Sequence, residues 1–240
     1  MIRKERKGIV WFEFELLKPY PELHHAVFSR VGGTDFLCKQ HQDTALDALT
    51  GRTPRASIEG FQVHKSSVNA ITSHDTPPII PECDGLATSL TDMALIVKHA
   101  DCQGAIFYDP VHNAFSCVHA GWRGNVQNIY QKTIETMKTA YGSRPEEILV
   151  CISPSLGPEA SEFINYKVEL PESFWQFQHK PLYFNLWEIS RWQLECAGIL
   201  ARHIQIANMC TYSDPVHFFS HRREKPYRGC NATVALLHHT

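Results

Sequence analysis

The sequence predicts a mixed α/β fold, with mixed β-sheets flanked by helices in a single domain covering residues 1–240. Three observations carry this. Candidate strands outnumber candidate helices, the helical stretches are interspersed among the strands, and no linker-like tract divides the chain. With 240 residues, 43% hydrophobic and 20% charged, the chain has a globular composition and enough length to bury a core.

The elements follow from periodicity. Residues 9–17 read as a first strand, and Val27 to Arg30 as a short second one ended by Gly32-Gly33. Residues 34–60 are polar and weakly patterned, with Gly51, Pro54 and Gly60, and receive no assignment. Residues 61–71 read as strand–turn–strand around His64, and Thr76-Pro77-Pro78 as a loop. Ala94 to Val97, Ala105 to Tyr108 and Ala114 to His119 read as strands. Alternation puts Phe115, Cys117 and His119 on one face of the last. Asn125 to Tyr141 is the strongest helix: Val126, Ile129, Tyr130, Thr133, Met137 and Tyr141 recur at helical spacing, and Gly142 supplies a stop. Ile148 to Ile152 reads as a strand, and Asn185 to Leu200 as a helix with Asn185 as N-cap and Glu188 at the capping-box position. Residues 204–209, 216–219 and 231–237 finish the chain as strands.

Charge and cysteine usage narrow the function classes. A net charge of −2 gives no support for binding nucleic acid or a membrane surface. No apolar run approaches the ~20 residues of a membrane helix. The basic N-terminus leads into Glu13 and Glu15 rather than a signal-peptide core. The eight cysteines include no C-x-x-C pair, so a structural zinc ribbon is not expected, whereas reduced thiols and a cytoplasmic location are.

Chemistry concentrates in Val118-His119-Ala120-Gly121-Trp122-Arg123-Gly124, where a strand gives way to a helix. Cys102 in Ala100-Asp101-Cys102 and His64 in Gln62-Val63-His64 precede it. Two imidazoles and a thiolate suit zinc and leave its fourth position open, as in catalytic sites. Arg123 is placed to contact an anion at the following helix N-terminus. Spacing leaves alternatives open. His99 competes as a ligand, Cys102 is a candidate nucleophile activated by His119, and Asp84 is either a proton-transfer group or a turn residue.

The ordered set Gln62-Val63-His64, Asp84-Gly85-Leu86-Ala87-Thr88, Ala100-Asp101-Cys102, His119-Ala120-Gly121-Trp122-Arg123-Gly124 and Ser153-Pro154-Ser155-Leu156-Gly157-Pro158 resembles the YfiH, or laccase-domain, family, formerly labelled multicopper polyphenol oxidase. Cys210-Thr211-Tyr212-Ser213-Asp214-Pro215 and Phe218-Phe219-Ser220-His221-Arg222-Arg223 extend the likeness, which covers residues 26–237. The resemblance implies a CNF/YfiH-like fold and a zinc enzyme that splits adenosine, inosine, guanosine or methylthioadenosine with phosphate, with adenosine deamination as an associated activity. It implies His64, Cys102 and His119 as metal ligands and as the catalytic centre. The partners are then a purine nucleoside and phosphate, with Arg30, Arg123, Arg222 and Arg223 as the candidate cationic contacts. Copper fits less well, because multicopper catalysis needs paired histidine motifs and no His-x-His occurs. The chain departs from the family pattern at Gln103-Gly104, where proline is usual, at Glu159-Ala160, where two cysteines are usual, and at Arg228-Gly229, which is inverted. An Asn-Arg pair usual in the 34–60 region is missing, so a catalytically inactive zinc-binding relative stays an alternative, as does a metal-free cysteine hydrolase.

Overall fold

The computed structural model describes residues 1–226 and 229–238; Arg228 lies outside them. In chain order the strands are β1 (Ile2–Arg6), β2 (Ile9–Glu13), β3 (Leu23–Phe28), β4 (Ala56–Gly60), β5 (Val68–Ile71), β6 (Ile79–Ile80), β7 (Gly85–Thr88), β8 (Met93–His99), β9 (Gln103–Asp109), β10 (Ala114–Ala120), β11 (Leu149–Ile152), β12 (Gln178–Lys180), β13 (Tyr183–Phe184), β14 (Ile204–Ile206) and β15 (Asn231–Leu237). The helices are α1 (Lys39–Thr50), α2 (Trp122–Val126), α3 (Ile129–Tyr141), α4 (Tyr166–Glu169), α5 (Leu186–Cys196) and α6 (His221–Glu224).

Two mixed sheets form, in the orders β1-β2-β3-β15-β8-β4-β6 and β14-β11-β9-β10-β7-β5. Period-two alternation gives each central strand two apolar faces, so both faces must be covered. Val27, Leu95, Val97 and Ala235 of the first sheet meet Ile106, Tyr108, Phe115 and Cys117 of the second in the core between them. On the outer side of the first sheet, Ala94, Ile96, Val234 and Leu236 lie under Ala45, Leu46, Ala48 and Leu49 of α1. On the outer side of the second, Phe107, Val118 and Val150 lie under Ile129, Tyr130, Ile134 and Met137 of α3 and Leu194 of α5. The chain crosses between the sheets at every connection from β4 to β9 and again between β14 and β15. A separate aromatic cluster, with Phe163, Phe174 and Phe184 buried beside Trp122 and Trp192, fixes the 160–192 region against α2 and α5.

The mixed α/β class and most central strands stand as the sequence predicts, with differences that have local causes. Residues 34–60 contain α1 and β4. The strand expected over residues 9–17 is β2, preceded by β1; it ends at Glu13, and Glu15–Leu17 form a 3-10 turn. Only Val68–Ile71 of the 61–71 segment is a strand, because His64 takes a positive φ of 59° that extended pairing does not allow. The long helix is two helices, broken where Asn128 adopts φ 53° and its side chain accepts a hydrogen bond from the Gln131 backbone N–H. Residues 216–219 form no strand; Val216 is exposed, while Phe218 is buried against Phe12. The helix expected over 185–200 is α5 and ends at Cys196, β14 ends at Ile206, and Asn185 caps α5 by accepting from the Trp187 and Glu188 backbone N–H groups.

None of the eight cysteines forms a disulfide. Thiol titration of freshly purified, denatured protein is expected to recover all eight, and the loss of two under non-oxidising conditions would show a disulfide.

Candidate metal centre

Three elements converge at one end of the sandwich. His119 is the penultimate residue of β10, on the same face as the core residues Phe115 and Cys117. Cys102 sits in the β8–β9 crossover, after Asp101 with φ 82°. His64 belongs to the β4–β5 loop. Left-handed backbone at His64 and beside Cys102 is costly for residues other than glycine, and the surroundings hold it in place. Asp101 is held by the Thr211 hydroxyl at 2.7 Å and by the Arg222 backbone N–H at 2.6 Å. The candidate ligand atoms of His64, Cys102 and His119 all lie within 4.8 Å of one another.

Asp84 organises this convergence. Pairing of Gly85 with Val118 puts the residue before β7 next to His119. The carboxylate is 1% exposed and accepts from the backbone N–H groups of Val63 at 3.2 Å, His64 at 2.9 Å and Lys65 at 2.9 Å. It also accepts from His119 Nδ1 at 2.9 Å. A carboxylate without a proton can only accept, so Nδ1 carries the hydrogen and Nε2 is left for a metal. Burial alone would push the Asp84 carboxyl up, but the His119 hydrogen bond and the backbone donors bring it below its ordinary value.

The donor set fits a metal ion on its own chemistry. Burial raises the Cys102 thiol, yet the neighbouring His119 imidazolium and hydrogen bonds from both histidines reverse this and favour the thiolate. Burial likewise disfavours a charged His119, but Cys102 and Asp84 outweigh it and hold its pKa above the ordinary imidazole value. A thiolate and a carboxylate thus flank one imidazole, and a cation would balance them as that proton does. Gly121 closes the space: a Cβ there would stand 3.0 Å from His64 Cδ2 and 3.1 Å from Cys102 Sγ. We expect Gly121→Ala to weaken metal binding about 10- to 100-fold, the scale of a disturbed ligand shell, in competition with a chromophoric chelator. Unchanged affinity would show that close packing does not set the ligand positions.

A cavity of about 690 Å³ opens on one side of the cluster, with Trp122, Arg123, Phe163, Arg222 and Lys225 in its wall. The Arg123 guanidinium stacks over the Trp122 ring at 4.1 Å. A smaller cavity of about 480 Å³ adjoins the other side.

Residues 36–238 match the family described as multi-copper polyphenol oxidoreductase laccase. The chain belongs to this laccase family. Its relatives include a purine nucleoside phosphorylase of Bacteroides thetaiotaomicron, 26% identical, with 88% of this chain and 90% of the relative covered. Human purine nucleoside phosphorylase LACC1 is 32% identical over 83% of this chain and 52% of its own length. In fold, this laccase-family chain is similar to YlmD from Geobacillus stearothermophilus, with a TM-score of 0.85, 22% identity and 98% of each chain covered. It is also similar to the Bacillus licheniformis hypothetical protein YfiH, with a TM-score of 0.84, 20% identity and 98% of each chain covered.

Within this laccase-family fold the other sequence candidates separate. Arg123 and Arg222 line the larger cavity; Arg30 and Arg223 line neither cavity. Arg30 pairs with Glu224 and lies 4.4 Å over the Phe219 ring. Arg223 donates to the carbonyls of Thr211 at 2.5 Å, Tyr212 at 2.8 Å and Phe218 at 2.6 Å, which makes it a tie between α6 and the preceding loop. His99 stands outside the ligand cluster, with Nε2 at 2.9 Å from the Thr233 hydroxyl. Lys225 and Glu162 join the cavity wall without any motif to announce them, because only the packing of α6 and the 160–170 segment brings them there. A second group, Asp109, His112 and Glu147, also has ligand atoms within 4.8 Å. Asp109 is engaged in its own turn there, accepting from the Val111 N–H at 2.9 Å and pairing with His112 at 2.7 Å. No helix among the described residues is long and apolar enough to cross a membrane.

Proposed function

We propose that this protein is a zinc-dependent purine nucleoside phosphorylase acting on adenosine, inosine, guanosine or methylthioadenosine. The observation that carries it is the His64–Cys102–His119 cluster at the mouth of a cavity whose wall holds Arg123, Arg222 and Lys225. The names of the relatives favour the same reading. Zinc is favoured over copper by a single two-imidazole, one-thiolate set, with no paired histidine motif to build a multicopper cluster. Bound there, zinc would supply Lewis-acid stabilisation of developing negative charge.

The protein's own groups do the rest. Arg123, Arg222 and Lys225 attract phosphate and hold it by charge-assisted hydrogen bonds. A phosphate oxygen forms a bond to the anomeric carbon of the sugar while the bond from that carbon to the purine nitrogen breaks. The electron pair of that bond stays on the base, which takes up a proton, giving free purine and sugar 1-phosphate. Asp84 keeps His119 in one tautomer and the His64 loop in one position throughout. Free thiols such as Cys102 suit a cytoplasmic setting.

Zinc-loaded protein is expected to release base from one or more of the four nucleosides only when phosphate is present, as chromatography would show. No release from any of them sinks the reading and favours an inactive relative. Ammonia release from adenosine without phosphate would establish the deaminase activity instead. The low thiol pKa of Cys102 beside His119 favours one competitor, a metal-free cysteine hydrolase. Turnover that survives complete chelation would support it.

A further inference from the structure

Of the two arginines in the wall of the larger cavity, Arg222 uses one N–H on the Glu162 carbonyl at 3.2 Å. Among the described residues the Arg123 guanidinium has no acceptor, only the Trp122 ring beneath it. An anion in the cavity therefore meets a group whose place is set by the backbone that carries it. That backbone is α2, five residues long and without a side-chain cap at Gly121. So short a helix gains little from its own hydrogen bonds, and its neighbours must hold it.

The hold comes from α5. The Asn125 side chain donates to the Ser190 hydroxyl at 3.0 Å, and the Asn125 carbonyl accepts from the Gln193 side chain at 2.7 Å. Gln103 grips α5 in turn. Its Oε1 accepts from the Ser190 hydroxyl at 2.8 Å and from the Tyr130 hydroxyl of α3 at 2.5 Å. Its Nε2 donates to the Leu186 carbonyl at 3.2 Å, which the Ser190 hydroxyl also reaches, at 2.8 Å. Amide and hydroxyl thus lock together on one turn of α5. Gln103, Asn125, Tyr130, Ser190 and Gln193 are all buried, where no water competes and linked hydrogen bonds strengthen one another. Gln103 directly follows Cys102, and its backbone is paired with Ala120 at the end of β10. One line of contacts runs from the residue beside Cys102, through Ser190 and Asn125, to the helix that bears Arg123.

We propose that Gln103 is a positioning residue: through Ser190 and Asn125 it sets where Arg123 stands relative to the His64–Cys102–His119 cluster, and anion affinity depends on it. Gln103 acts on the anion only through Arg123. The cluster stays in place without its side chain, because strand pairing fixes the backbone at 103 and Asp84 holds His64 and His119. Naming phosphate as the anion rests on the phosphorylase reading; the connection to Arg123 does not.

The test is titration calorimetry of inorganic phosphate into the zinc-loaded protein, alongside steady-state kinetics with inosine and phosphate and chelator competition for the metal. Gln103→Met keeps the length of the side chain and removes its amide. Ser190→Ala breaks the connection in the middle, and carries the test alone if Gln103→Met does not fold. Each is expected to weaken phosphate binding about tenfold, the effect of loosening one charge-assisted hydrogen bond. The KM for phosphate should rise to match, with kcat at saturating phosphate and metal affinity unchanged, the mark of lost binding rather than lost chemistry. The double variant should be no worse than the weaker single one, because both cut the same connection. Leu194→Val loosens α5 in the core without touching the network, so it should lower Tm and leave phosphate affinity unchanged. The proposal is overturned if Leu194→Val weakens phosphate binding as far as Ser190→Ala does, if the two network substitutions act additively, if neither changes phosphate affinity, or if phosphate does not bind at all. Phosphate binding that depends on Gln103 and Ser190 in a protein that splits no nucleoside would keep the positioning role and refute the phosphorylase reading. Phosphorolysis with a phosphate KM indifferent to both would do the reverse.

Discussion

Cys102→Ala is expected to abolish zinc retention and, with it, nucleoside phosphorolysis. The thiolate is the softest donor of the three and the only one that brings a negative charge into direct contact with the cation. Two imidazoles alone form a site that buffer and chelators strip. The substitution removes a half-buried side chain of modest size, so the fold should persist, and circular dichroism of the chelated wild type is the proper reference. Zinc stoichiometry and phosphorolysis of inosine and adenosine, measured on the same preparations, separate the two roles of the thiol. A variant that holds zinc at wild-type stoichiometry and has lost turnover would make Cys102 a nucleophile and not a ligand.

Asp84→Asn is expected to damage stability and the site together. The amide keeps one acceptor oxygen for four donors and turns its own N–H₂ toward the N–H groups of Val63, His64, Lys65 and His119. Breaking a buried charged network of this kind costs about 3–5 kcal/mol, roughly 10 °C in Tm for a chain of this length. Zinc affinity should fall about 10- to 100-fold as His119 loses its orientation. Because the Asp84 carboxyl lies below its ordinary value in the folded protein, its contribution is complete above the unfolded carboxyl range near ~4 and disappears as pH falls through the lower folded value. The variant should therefore lose this part of the wild-type acid dependence. Denaturant midpoints in the presence of chelator decide between causes. If wild type and Asp84→Asn coincide once metal is removed, the carboxylate acts through the metal alone.

The convergence of His64, Cys102 and His119 is legible in the sequence because strand alternation and a glycine turn fix His119, and because each residue sits in a short, distinctive sequence. What escaped depends on distant partners. The α1 helix has no side-chain cap at Cys38, and its buried stripe is mostly Ala45, Leu46, Ala48 and Leu49 beside the polar Gln42, a weak signal until the apolar outer face of the first sheet is known. The His64 loop looks like a strand until Asp84, twenty residues on, gathers its N–H groups. Arg30 and Arg223 carry the same charge as Arg123, and only the tertiary fold shows that Glu224 and three carbonyls already occupy them. Gln103-Gly104 also makes sense in three dimensions. A Cβ at Gly104 would collide with Thr233 Oγ1 at 2.3 Å, and the Gln103 side chain accepts from the Tyr130 and Ser190 hydroxyls at 2.5 and 2.8 Å.

Two of the three candidate ligands lie where the chain passes from one sheet to the other, Cys102 between β8 and β9 and His64 between β4 and β5. A cation held there would act as a rivet through both layers. Gripping the native state and not the unfolded one, it would make metal occupancy part of the mechanical integrity of the sandwich. The rivet can be set only once both layers have docked, because neither sheet alone presents all three donors. Metal uptake then registers the completion of folding, and metal scarcity in the cell would be felt first as a loosening of the end of the molecule where the two cavities meet.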